Sequence, residues 1–149
     1  MTDDHSPTAA PRLLRALLFL GLTGVGAELL LIEHTEGIYQ LLPLGTLALC
    51  LVALLARTAK PSRLARGLVM AAMLSLAACG AFGVILHYDS NAEFQAELEP
   101  ELEGWGLFVA SMRAKSPPAL APGALTLLGL LGLVIATMPG PRLSRSENS

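Results

Sequence analysis

The chain reads as an all-α membrane protein: a four-helix transmembrane bundle with a short extracytoplasmic amphipathic helical segment between spans three and four. Three observations predict this. Of 149 residues, 53% are hydrophobic and 15% charged, whereas a soluble domain carries about 25% charged residues. The apolar residues gather into four stretches, 13–32, 38–56, 67–86 and 119–138, each near the roughly 20 residues that carry a helix across the hydrocarbon core. Polarity does not alternate within them, which argues against a β-barrel. Lipid satisfies no backbone N–H or C=O, so each stretch must close its own hydrogen bonds as a helix.

Taken in order, residues 1–11 are polar and proline-containing and are expected to be disordered, with His5 solvated. Arg12 and Arg15 introduce the first span. With Val25-Gly26-Ala27 they also fit a secretory signal and its cleavage site, but the apolar run continues through Leu31-Ile32 and completes a full-length span. A few residues around Gly37 make a tight hairpin into the second span. "RTAKPSR" joins the second span to the third, and its Pro61 ends helical continuation. Residues 89–118 are the one substantial segment outside the membrane. There "SNAE" (Ser90 to Glu93) has the spacing of a capping box, predicting a separate short helix to Leu98 that Pro100 and Gly104 interrupt. Trp105, Phe108, Val109 and Met112 then recur at i, i+3, i+4 and i+7, an amphipathic helix expected on the membrane surface. Pro117-Pro118 open the fourth span, and residues 139–149 form a polar tail expected to be disordered. Residues 12–138 are thus one membrane domain.

The charges set an orientation. Arg12, Arg15, Arg57, Lys60, Arg63, Arg66, Arg142 and Arg145 fall on one side, and only Arg113 and Lys115 on the other. The positive-inside rule makes the first side cytoplasmic and holds both termini there. Glu33, Glu36, Asp89, Glu93, Glu97, Glu99, Glu101 and Glu103 all lie on the opposite face, and Tyr39, Tyr88 and Trp105 mark its boundary. The net charge of −2 therefore conceals a polarised molecule. Its basic residues are short anchoring flanks without a basic face, which excludes nucleic acid as a partner.

Packing signals are small residues. Ser75, Cys79, Gly83 and His87, spaced by four, form a ridge expected to face the bundle, while Gly21, Gly24, Gly129 and Gly132 offer openings on the first and fourth spans. Cys50 and Cys79 lie inside spans without CxxC spacing and read as packing residues.

Three features carry possible chemistry. Glu28 interrupts the first span about 6 Å, four residues, below Ile32. Buried between helices, it would act as an intramembrane proton or ion site or make a structural hydrogen bond. His34 and His87 each end an outward-running helix and are each followed two residues later by an acid, Glu36 and Asp89. They should therefore lie at similar depth. With Glu33, Glu36 and Asp89 they are candidate ligands for zinc or copper, or axial ligands to a haem, although no HExxH, HxxxH or Cys/His spacing accompanies them. The acidic loop is either a solvated face, a cation-attracting vestibule or a docking surface. No nucleophile elbow, catalytic triad order or phosphate-binding loop is present, and short loops are expected to leave little room for a chamber.

The stretches "HYDSNAEFQAELEPELEGWGLF" and "PPALAPG" resemble uncharacterised small four-span bacterial inner-membrane proteins. The resemblance covers most of residues 12–138 and implies a bacterial inner-membrane setting but no activity. The expectation is a non-enzymatic accessory subunit with an acidic extracytoplasmic face that engages another membrane protein or a basic extracytoplasmic protein, with no cofactor. The alternative is binding or transport of a metal ion, proton or redox cofactor by Glu28, His34 and His87.

Overall fold

A computed structural model describes residues 9–138; the disorder expected of residues 1–8 and 139–149, His5 included, lies outside them. Five helices appear: α1 (Ala9–Leu31), α2 (Ile38–Ala59), α3 (Arg63–Leu98), α4 (Gly104–Met112) and α5 (Leu120–Thr137). Four of them, α1, α2, α3 and α5, are long and apolar enough to cross a membrane, and the chain is a multi-pass membrane protein. They run up, down, up and down, so that α1 packs on α2 and α5, and α3 on α2 and α5. One end of this ring carries Arg12, Arg15, Arg57, Lys60, Arg63 and Arg66 and is called the basic end. The other, with the α1–α2 turn and α4, is the acidic end.

Local chemistry sets the boundaries. α2 stops at Lys60 ahead of Pro61, as expected. The Ser62 side chain then accepts from the Ala65 N–H at 3.0 Å and caps α3. The real cap is therefore Ser62, and the one expected at "SNAE" is not used. α3 continues through it for 36 residues, about 54 Å at ~1.5 Å per residue, and so projects well beyond a hydrocarbon core of about 30 Å. No Gly or Pro lies between Gly83 and Pro100, so nothing breaks the helix for a second cap to start. At the other terminus, residues 9–11, assigned to a disordered head, already belong to α1; Pro11 falls in its first turn, where the missing N–H has no partner to lose.

The core lies toward the basic end. Leu18, Leu22, Cys50, Met73, Leu76 and Ala136 are fully buried there. α3 and α5 approach most closely: a Cβ on Gly129 would lie 2.6 Å from the Ala77 nitrogen, and one on Gly80 2.5 Å from the Pro122 carbonyl oxygen. Glycine is required at both because backbone meets backbone. The Thr126 hydroxyl fits this seam, donating to the carbonyls of Pro122 (3.1 Å) and Ala77 (3.4 Å). The buried ridge of α3 is therefore Val69, Ala72, Met73, Leu76, Ala77 and Gly80, rotated from the one expected. Ser75 is exposed, because the contact follows the glycines of α5 rather than the small residues of α3 alone. Gly132 opens onto Met73 and Gly21 onto the Leu128 side chain, but Gly24 faces open space and serves no contact.

Candidate functional site: a cleft at the acidic end

Toward the acidic end a cleft of about 420 Å³ lies between the four spans. That volume falls within the roughly 300–1,000 Å³ of ligand pockets. The site is an open cleft, not the enclosed chamber for which short loops were expected to leave little room. Val25, Leu29 and Ile32 of α1, Leu42 and Pro43 of α2, Phe82 and Leu86 of α3 and Leu125 of α5 form apolar walls, while His34, Gln40, His87, Asp89, Ser90 and Glu93 supply polar groups.

A specific turn delivers His34 to this cleft. The Glu33 N–H donates to the Leu30 carbonyl at 3.1 Å and the His34 N–H to the Leu29 carbonyl at 2.9 Å. This pair of bonds is a Schellman motif, with Glu33 at the left-handed position (φ 54°) that glycine ordinarily fills. The reversal lays His34 back toward Leu29, and both line the cleft. Gln40 is held from the next helix, its Oε1 accepting the Glu36 N–H at 2.7 Å. The Tyr39 and Phe82 rings, 6.3 Å apart, join α2 to α3 beside it.

The structure brings His34 and His87 to one cleft, with Asp89 and Glu93. Burial lowers the His34 pKa from its ordinary value, and the charge of His87 lowers it further. Glu33 and Glu36 belong to the same turn but do not line the cleft. Glu28 also stays outside: α1 buries Leu18, Leu22 and Leu29, and Glu28, next to Leu29 but rotated by about 100°, is exposed on the helix surface. The interhelical burial expected of it is absent from this chain. Among the described residues no three His, Cys, Asp or Glu side chains are grouped to hold a metal ion. Cys79, by contrast, borders the cleft and is partly exposed, while Cys50 is buried with its thiol directed at the Ala72 carbonyl at 3.3 Å.

Behind the cleft mouth the projecting end of α3 is buttressed by α4. The Asn91 amide donates to the carbonyls of Ser111 (3.2 Å) and Ser116 (3.0 Å), and Tyr88 packs against Phe108, whose ring stacks with Trp105 at 4.9 Å. The helix expected at 105–112 is present, but its fully buried residue is Ser111, whose hydroxyl is satisfied by the Leu107 carbonyl at 2.7 Å. Trp105 is 76% exposed, while Phe108 of the same stripe is the residue that meets Tyr88 of α3.

No family model, curated protein or solved structure matches the chain. The functional reading rests on the cleft and its surroundings.

Proposed function

We propose that this chain is a non-enzymatic binding protein of a bacterial inner membrane, with both termini cytoplasmic, that holds a membrane-borne amphiphilic ligand in the His34/His87 cleft. The observation that carries this reading is the division of the cleft into apolar walls and a polar mouth at one end of the spans. Such a site matches a molecule that is itself half apolar and half polar. The basic residues favour the orientation that puts the mouth on the extracytoplasmic side. Native mass spectrometry of the protein released from its own membrane tests the binding reading. A retained small amphiphile, lost when Leu86→Trp enlarges a side chain that lines the cleft, is expected; bare protein in both preparations overturns it.

The metal and haem alternatives would use the same histidines. Absorption spectra and metal content, repeated on His34→Ala and His87→Ala, decide these. A colourless, metal-free preparation that takes up neither zinc nor copper removes them.

A second reading, an accessory subunit that docks another membrane protein or a basic extracytoplasmic protein, draws on the α3 projection. It holds Glu93 and Glu97 on an ordered helix with exposed Phe94 and Leu98 beside them, a mixed surface suited to a partner. Co-purification of a partner that disappears when Glu97, Glu99, Glu101 and Glu103 become Gln is its expected outcome; an unpartnered protein indifferent to those changes counts against it.

A further inference from the structure

We infer that the occupant of the cleft is an amphiphilic cation, an alkyl chain bearing an ammonium head, held with its chain among the apolar walls and its head at the carboxylates of Asp89 and Glu93. The inference rests on the binding reading above and adds the charge of the ligand.

The charge follows from the lining. Two carboxylates, Asp89 and Glu93, border the cleft, and among the described residues no Lys or Arg does. An anionic head would be desolvated beside two like charges, whereas a cation gains from both. Tyr39 and Phe82 line the same cleft and form an aromatic pair, whose ring faces attract an ammonium at about 6 Å or less. His34 does not oppose it near neutral pH, because burial and the neighbouring His87 hold it below its ordinary pKa. A route for the chain is present as well. Ile32, Leu42 and Phe82 line the cleft and are 60%, 41% and 43% exposed, so its apolar part opens sideways to the bilayer as well as upward at the mouth.

Cys79 provides the readout, since it borders the cleft while Cys50 is buried. In dodecyl maltoside micelles, the rate of Cys79 alkylation by N-ethylmaleimide is followed by peptide mass spectrometry against added tetradecyltrimethylammonium, tetradecyl sulfate or tetradecyl maltoside. The cation is expected to protect at a concentration about tenfold below the sulfate, and Asp89→Asn with Glu93→Gln is expected to abolish the difference. Equal or better protection by the sulfate, or a preference for the cation that survives in the double variant as a general micelle effect, overturns the inference and leaves the binding reading standing. Failure of all three amphiphiles to protect overturns both. The source is read separately by native mass spectrometry. A retained lipid of net positive charge identifies a lipid, and cation protection without a retained lipid identifies a diffusible amphiphile, either of which supports the inference; a retained zwitterionic or anionic phospholipid overturns it.

Discussion

The His34 N–H reaches back to the Leu29 carbonyl at 2.9 Å across a residue, Glu33, that holds φ at 54°. A left-handed conformation costs a non-glycine residue roughly 1–2 kcal/mol, and here it sits immediately before a cleft-lining histidine. Glu33→Gly removes that cost while retaining the turn, so it should stabilise the protein by about 1 kcal/mol, offset in part by the greater freedom of glycine in the unfolded chain. Glu33→Val should destabilise it by at least as much. Melting in dodecyl maltoside checks both, and a Gly variant less stable than the parent contradicts the strain.

The titration of His34 has a definite sign. Burial first and His87 second lower its pKa in the folded protein below the ordinary 6.5, so the unfolded chain binds the proton more readily. Stability from this group is present above pH 6.5 and is lost as pH falls from there through the folded value. His87→Ala should raise the His34 pKa but leave it below ordinary, because burial remains. The groups at the same mouth are His87, Asp89 and Glu93 of α3 and Tyr39 and Gln40 of α2. Their own titration is separated by following the His34 ring signal by NMR; a His34 signal titrating above the unfolded-peptide value contradicts the assignment.

Two glycines that look alike in sequence should behave oppositely. Gly129→Ala puts a methyl 2.6 Å from the Ala77 backbone nitrogen and 2.7 Å from the Met73 carbonyl oxygen, atoms that move only if α3 and α5 separate. A loss of about 1–3 kcal/mol follows. Gly24→Ala meets nothing within 4 Å and should be neutral or stabilise α1 by about 0.5–1 kcal/mol. Unfolding in mixed micelles should therefore separate the two variants, with Gly129→Ala less stable than the parent and Gly24→Ala at or above it.

Much of this was legible in the chain, and the failures have physical causes. Spans and turns follow from hydropathy, and His34 and His87 do reach one cleft, although α3 runs on to Leu98 and does not end at His87. The capping-box reading at Ser90 failed because a cap signature acts only where the helix is already broken, and 84–99 contain neither Gly nor Pro. Glu28 was misplaced because hydropathy fixes depth along α1 but not rotation about it, and Leu18, Leu22 and Leu29 take the inward face. The cleft itself is written in no local motif. It arises between α1, α2 and the α3–α5 pair, which stays in contact at Gly80 and Pro122 up to the cleft. The support given by Gln40 was not legible in the sequence, because its bond runs to the Glu36 N–H four residues back and not to a capping side chain.

Asn91 ties the projecting part of α3 to the end of α4 and to the approach of α5 through two carbonyls. Asn91→Ala leaves both without that donor, one of them partly buried, at a cost of about 1–2 kcal/mol. The loss should be local, because the core of the bundle lies at the opposite end and shares no hydrogen bond with Asn91. Hydrogen exchange in residues 104–118 should therefore quicken while the amides of 69–77 keep their protection. Asn91→Asp sharpens the test: it preserves size but replaces a donor with an acceptor facing two carbonyls, and should release the segment at least as fully as Ala. Unchanged exchange in 104–118 for both variants would mean that the aromatic contact of Tyr88 with Phe108 holds α4 by itself.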